Sequence, residues 1–316
     1  MTSLSPVCSV PIANARRYFF KRAFIHAAIK FPVLARLIRV FNRTKPDLSV
    51  FDVEQIFYIC DCEREAENIL MIRELAQRLD LRETFDIGSN FGQFVSSLVD
   101  TFEAGLCLDA NPEAIAFLDQ TSSLQNFQRI NRAVVPMGDV PDTITLKIPA
   151  GNTGKAMVGD LGDEDYSEIM VQTTTVAELS ALSQDPTRKR FVKFDIEGLE
   201  PELVGDYLSL GRTEDVIAFE VLTQEAKDKL DQVFEDYDHA YKFVTLRYSF
   251  LNNSGFMGDN KAELMRMYIT GQATMDVYVA DRMNNFAFGF MSLVFAVPAE
   301  QVTGYLLDLG PGPVYF

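Results

Sequence analysis

The stretch Thr84-Phe85-Asp86-Ile87-Gly88-Ser89-Asn90-Phe91-Gly92-Gln93-Phe94 decides the fold. An apolar run reaches a carboxylate, breaks at two glycines, and resumes as Phe94, Val95, Leu98, Val99 and Phe102 at helical spacing. It predicts strand, glycine turn and helix, the opening unit of a doubly wound α/β sheet. Gly88 suits a positive φ and close approach of a ligand to the backbone, and Gly92 lets the helix begin near the strand. The spacing is Asp-x-Gly-x-x-x-Gly, not Gly-x-Gly-x-x-Gly. A dinucleotide site needs room and free N–H groups for a pyrophosphate at the helix N-terminus. This turn offers one glycine fewer and a carboxylate suited to a cationic amine, so it reads as an S-adenosylmethionine turn, with a plain strand–helix connection as the alternative.

Three acids fall at predicted strand ends: Asp86, Asp109 and Asp195. In an open α/β sheet, ligands bind at that edge, beside the point where the strand order reverses. Asp109 follows the turn by roughly twenty residues, the separation at which an acid accepts from ribose hydroxyls. Ala110 and Asn111 would then flank ribose and adenine. The bland role for Asp109 is an N-terminal partner for the helix starting at Pro112. Asp195 and Glu197 close a buried-type strand, Phe191-Val192-Lys193-Phe194-Asp195-Ile196. Unpaired burial would cost several kcal/mol, so they require a cation, a donor or water. Lys193 shares the strand face of Asp195, and a structural Lys193–Asp195 pair is the competing account.

Composition narrows the function classes. A chain of 316 residues with 47% hydrophobic residues and 25 Phe has ample material for a core. Its formal charge of −16 argues against whole-chain electrostatic binding of nucleic acid. The charge is uneven: no acid precedes Asp47, whereas Arg16, Arg17, Lys21, Arg22, Lys30, Arg36, Arg39, Arg43 and Lys45 all do. Two amphipathic helical patterns hinge at Phe31-Pro32 within this region. They suit either a cap on the acidic domain or an anionic membrane surface. Cys8, Cys60, Cys62 and Cys107 make no disulfide framework, and Cys60-Asp61-Cys62 lacks zinc-knuckle spacing. No apolar run reaches about 18 residues and no signal-peptide pattern opens the chain, so a cytoplasmic protein, or one peripheral to the inner membrane face, is expected.

The remaining pattern alternates strands and helices, which predicts a parallel sheet. Glu63 to Leu79 reads as a surface helix striped by Ile69, Ile72, Ala76 and Leu79. Ala104 to Leu108 and Phe127 to Val135 read as strands, and Asn111 caps a helix beginning at Pro112. Thr143 to Ile148 alternates, while Asp160 to Glu168 reads as a solvated acidic loop without calcium-loop spacing. Thr173 to Leu179 starts as strand and ends as helix. Pro201 to Leu208 and Thr223 to Tyr237 are helical, and Val216 to Leu222 is a strand carrying Glu220. Tyr241 to Phe250 and Met291 to Val297 form an antiparallel edge pair, separated by a polar, glycine-bearing segment.

Three blocks together resemble the FkbM-type methyltransferases: Asp86-Ile87-Gly88-Ser89-Asn90-Phe91-Gly92, Asp109-Ala110-Asn111-Pro112, and Val192-Lys193-Phe194-Asp195-Ile196-Glu197-Gly198-Leu199-Glu200. The likeness runs from about Glu83 to Val221. It implies a Rossmann-like class I methyltransferase fold, an α/β protein with a seven-stranded mostly parallel sheet. Here that domain would span 81–316, after an N-terminal helical extension at 1–80. It implies S-adenosylmethionine as cofactor and a small-molecule or glycan acceptor methylated on a hydroxyl. Carried over, Asp86 and Gly88 would hold the methionine end, and backbone N–H groups at Ser89 to Gly92, among them those of Ser89, Asn90 and Gly92, would meet its carboxylate. Asp109 would take the ribose, with Arg132 or Ala133 beside the adenine. Asp195, Glu197 and Glu220 would lie near the transferred methyl. Asp109-Ala110-Asn111-Pro112 departs from the Glu-Pro-Asn-Pro common in that family, a shorter acid in the same role. No metal ligand is predicted, although a divalent ion bridging Asp195, Glu197 or Glu220 suits a sugar diol. The other classes weighed are a nicotinamide-dependent oxidoreductase on the same sheet and a catalytically inactive, membrane-associated adaptor.

Overall fold

The structure, a computed structural model of the chain, describes residues 8–11, 66–119, 124–149, 166–183, 185–196, 198–237, 241–248, 266, 270, 274–286 and 293–305. The basic region at 13–45, Cys60, Cys62, Glu197 and the loops at 151–160 and 252–259 lie outside the described residues.

A short strand, β1 (Cys8–Pro11), comes first. Helix α1 (Ala66–Leu79) then lays the predicted stripe against the sheet. Ile69, Ile72, Ala76 and Leu79 are buried in one cluster with Phe191 and Phe295, so this helix is a wall of the core. Next come β2 (Glu83–Ile87), α2 (Gln93–Ser96), β3 (Ala104–Asp109), α3 (Pro112–Asp119) and β4 (Phe127–Asn131), with the three strands parallel. The helix expected from Phe94 to Phe102 is only four residues long. Beyond it, Ser97, Leu98 and Thr101 donate their N–H groups three residues back, the tighter pattern of turns. Val95, Leu98 and Phe102 are nevertheless buried, as their spacing requires.

The strand expected over Phe127 to Val135 is divided at Arg132. Its second part, β5 (Ala133–Val134), joins β6 (Thr143–Pro149) and β7 (Tyr166–Thr174) in a separate three-stranded sheet. From Tyr166 onward the acidic segment is therefore strand, not loop. Ile169 and Val171 stand opposite Leu146 and Ile144 on β6, and that apolar row outweighs the intervening charges. Helix α4 (Val176–Ala181) begins with a capping box in which Thr175 and Glu178 exchange hydrogen bonds at 3.2 and 3.1 Å.

The second half runs β8 (Arg190–Phe194), α5 (Glu200–Ser209), β9 (Val216–Glu220), α6 (Gln224–Glu235), β10 (Tyr241–Tyr248), β11 (Thr274–Ala280), β12 (Leu293–Pro298) and α7 (Ala299–Tyr305). The large sheet has the order β1-β11-β10-β12-β9-β8-β2-β3-β4. Within it, β4-β3-β2-β8-β9-β12-β10 is the predicted seven-stranded Rossmann-like class I methyltransferase arrangement, with β12 antiparallel to both neighbours. Two further strands extend one side. β11 falls in the segment read as polar and glycine-bearing, and β1 pairs with it through Cys8 opposite Val277. The final predicted pair is therefore antiparallel but interior to the sheet.

Side chains alternate across the sheet. Phe85, Ile87, Leu106, Leu108, Val192, Phe194, Ile217 and Phe219 face α4, α5 and α6. Cys107, Phe191, Val216 and Ala218 face α1, α2 and α3. At the N-terminal edge of the strands the buried charges form a closed set. Arg190 bonds Glu83 and the Ser180 hydroxyl at 2.8 Å each, and its guanidinium lies over the Phe85 ring. Asp215 accepts from the Arg190 N–H at 2.9 Å, the Tyr207 hydroxyl at 2.6 Å, and Arg212 at 2.8 and 3.0 Å.

Candidate active site

At the opposite edge, the strand order reverses between β2 and β8, whose parallel neighbours lie on opposite sides. The chain leaves β2 at Gly88, with φ 81°. The N–H groups of Gly88 and Ser89 both donate to the Leu108 carbonyl at 2.9 Å, and the Asp195 N–H donates to the Ile87 carbonyl at 3.0 Å. The turn is thus tied to β3 on one side and to the end of β8 on the other. A Cβ on Gly88 would stand 1.7 Å from the Asp195 carbonyl oxygen, so glycine is obligatory there. At Gly92, φ 72°, a Cβ would come within 2.2 Å of the Leu118 side chain.

The backbone donors of this turn are largely committed. Besides Ser89, the Asn90 N–H donates to Asp109 at 2.7 Å and the Gly92 N–H to the Ser89 carbonyl at 2.8 Å. Of the N–H groups at Ser89 to Gly92 that the resemblance assigns to a ligand carboxylate, those of Ser89, Asn90 and Gly92 thus already donate within the protein. Ser89 instead offers its hydroxyl, 4% exposed as a residue and with no hydrogen-bond partner.

Asp109 is half-buried at the end of β3. One carboxylate oxygen accepts the Asn90 N–H and the other the Asn111 N–H, each at 2.7 Å. Its bland role, a partner at the start of the helix beginning at Pro112, is met through the Asn111 N–H, and each oxygen keeps a further lone pair. Burial pushes its pKa up to about 6, against the two N–H bonds, with the Asp195 charge adding to the rise and Lys193 opposing it. Asn111 caps α3 by accepting the Glu113 N–H at 3.0 Å. Its amide nitrogen, in a residue 2% exposed, has no partner. Asn131 donates to the carbonyls of Asp109 and Ala110 at 3.0 and 2.9 Å and so fixes this strand end. Ala110 packs on Ala133, Leu146 and Val171 of the small sheet. Of the two residues expected beside an adenine, Ala133 shares that apolar wall, whereas Arg132 is exposed and donates to the Thr173 carbonyl at 3.4 Å.

Asp86 is fully buried in β2, beside Lys193 in the sheet register. The Lys193 ammonium is 3.9 Å from Asp86 and 2.6 Å from Asp195. The structural Lys193–Asp195 pair therefore exists and reaches toward Asp86 as well. The Asp195 side chain stays 27% exposed. Glu220 follows Phe219, the register partner of Phe194, so it ends β9 beside Asp195 on the same edge. The structure thus gathers Asp86, Gly88, Ser89, Asn90, Asp109, Asn111, Asp195 and Glu220 along one edge.

A residue whose role sequence reasoning missed is Glu200. It is buried at the start of α5 and accepts the Ile196 and Gly198 N–H groups at 3.1 and 2.9 Å, folding the loop that follows Asp195. Burial raises its pKa. The Glu-Gly-Leu-Glu spacing was its signal, since an acid two residues beyond a glycine can reach back to the loop N–H groups. Cys107 lies buried beneath the site with its thiol pKa raised well above normal by burial, which leaves it an inert core residue. Among the described residues no group of three or more His, Cys, Asp or Glu is arranged to hold a metal ion.

No protein-family model matches the chain, and no curated protein matches it significantly. Solved structures that align with it include a precorrin-6y C5,15-methyltransferase from Geobacter metallireducens GS-15, with 13% identity over 74% of this chain and 89% of that one, TM-score 0.34. An rRNA methylase from Streptococcus thermophilus aligns with 12% identity over 72% and 94%, TM-score 0.37. The O-methyltransferase TomG from Streptomyces achromogenes aligns with 10% identity over 83% and 95%, TM-score 0.37. Likeness at this level carries no argument about chemistry. The fold rests on the strand order described above.

Proposed function

We propose that this protein is an S-adenosylmethionine-dependent methyltransferase of the FkbM type, acting on a hydroxyl of a sugar or glycoconjugate. The observation that carries the reading is the set of polar groups converging beside the Gly88 turn at the reversal of strand order. Asp86, Asp109 and Asp195 converge on it, and Ser89 Oγ and Asn111 Nδ2 are buried there without hydrogen-bond partners. An unsatisfied buried polar group costs about 1–3 kcal/mol, which a polar ligand would recover.

The donor set fits the proposed cofactor. Asp86 would hold its ammonium, Ser89 Oγ its carboxylate, and Asp109 its ribose hydroxyls through the remaining lone pairs. Ala110 and Ala133 would border the adenine. When bound, S-adenosylmethionine supplies an electrophilic methyl on a sulfonium. The protein's task is then alignment and proton removal. Asp195 or Glu220 accepts the proton of the attacking hydroxyl and returns it to water after transfer. Gly88, by admitting the turn against the Asp195 backbone, keeps the two halves of the site close.

Thermal unfolding with S-adenosylhomocysteine tests the reading: a concentration-dependent rise in Tm is expected, with none from NADH. The reverse pattern would favour the oxidoreductase. The basic stretch at 13–45 keeps its two readings, a cap or a contact with anionic membrane. Flotation with anionic liposomes at low salt separates them.

A further inference from the structure

Lys193 stands where the two halves of the site meet. Its neighbours across the sheet are Asp86 on β2 and Ala218 on β9. The residue is 3% exposed, and its ammonium lies 5.2 Å from the centroid of the Phe94 ring of α2. The charges facing it include Asp195 at 2.6 Å and Asp86 at 3.9 Å, Asp109 on β3, and Glu220, two residues beyond Ala218 on the same face of β9. Cys107, beside Asp86 in the register and on the same face of β3, is held neutral by burial. One ammonium thus lies between the carboxylate assigned to the donor's amine and a carboxylate assigned to the acceptor's proton.

We propose that Lys193 is a positioning residue that couples loading of the methyl donor to the state of Asp195. The inference rests on the methyl-donor reading above. A ligand amine arriving at Asp86 repels the Lys193 ammonium and anchors it on Asp195, holding that carboxylate oriented before an acceptor enters. Conversely, when Asp195 loses its charge, the ammonium moves onto Asp86 and competes with the ligand amine. The coupling is reciprocal, as any linkage between two sites must be.

Calorimetric titration of wild type and D195N with two probes tests this without knowledge of the acceptor. S-adenosylhomocysteine carries the amino-acid end, and 5′-methylthioadenosine keeps the adenosine and thioether but lacks the amine. D195N is expected to weaken S-adenosylhomocysteine about tenfold, within the usual range of coupling between sites, and to change methylthioadenosine by less than about twofold. In a K193M background the D195N effect on S-adenosylhomocysteine should vanish. Equal weakening of both probes, unchanged S-adenosylhomocysteine affinity, or the same loss in the K193M background would overturn the proposal. If K193M does not fold, the two-probe comparison on D195N decides alone. Binding of neither probe to wild type would instead defeat the methyl-donor reading, a result distinct from both probes binding without coupling.

Discussion

At the N-terminal ends of β2 and β8, Glu83 and Asp215 are closed in by Arg190, Ser180, Ser183, Tyr207 and Arg212. At the C-terminal ends of the same strands, Asp86 and Asp195 flank one lysine, Asp109 clamps two backbone N–H groups, and a buried hydroxyl and a buried amide have no partner. Both ends bury charge among aromatic and aliphatic side chains. Among the described residues, the first ties its charged groups to one another and leaves only the Thr84 hydroxyl of β2 without a hydrogen-bond partner, while the second leaves a hydroxyl and an amide unpartnered beside its carboxylates. That contrast distinguishes a structural network from a binding site more firmly than the presence of acids does.

The largest effect expected from breaking this comparison is at the closed end. Glu83→Gln removes the charge opposite a buried arginine, and urea denaturation should record a loss of about 3–5 kcal/mol. The fraction that folds should bind S-adenosylhomocysteine as wild type does. A loss below about 1 kcal/mol would mean that the network is not closed. At the open end, Gly88→Ala forces a positive φ and a clash with the Asp195 carbonyl, costing about 2–3 kcal/mol and abolishing ligand binding. Retained binding would show that the turn is not the ligand's seat.

Asp109→Asn sharpens the contrast from the other side. Stability should change by about 1 kcal/mol, whereas S-adenosylhomocysteine affinity should fall roughly ten- to a hundredfold. The smallest effect is in pH. With Asp109 raised to about 6, its carboxyl protonates on acidification sooner than an ordinary aspartate would. Ligand affinity measured by calorimetry should be level above about pH 7 and weaken by up to about tenfold per unit below 6, a dependence that Asp109→Asn removes. The sign for stability is opposite. An acid with a raised folded pKa makes the empty protein less stable as pH rises from about 4 to about 6.

The open end was the more legible in sequence. Local spacing alone located Gly88, Asp109, the Asn111 cap and the Lys193–Asp195 pair, because a turn, a cap and two residues on one strand face are short-range events. The closed end was not legible. Glu83 and Arg190 are 107 positions apart, and nothing local marks them as partners. The same limit hid β11 and β1, whose pairing depends on Val277 meeting a chain segment far away in sequence. Tyr166 to Glu168 misled for another reason: three exposed polar residues resemble a loop until Lys147 and Ile148 stand opposite as strand partners. Glu200 was quoted as part of a motif, yet its role as a backbone acceptor required knowing how the chain turns after β8.

Whether the carboxyl edge keeps its polar groups for a charged adenosine ligand is decided by isothermal titration of the purified chain with S-adenosylmethionine and S-adenosylhomocysteine. Saturable, one-to-one binding of both is expected, lost in Gly88→Ala and unaffected by excess NADH. Absence of heat from both ligands with folded protein, or binding that survives Gly88→Ala and Asp109→Asn unchanged, would contradict it.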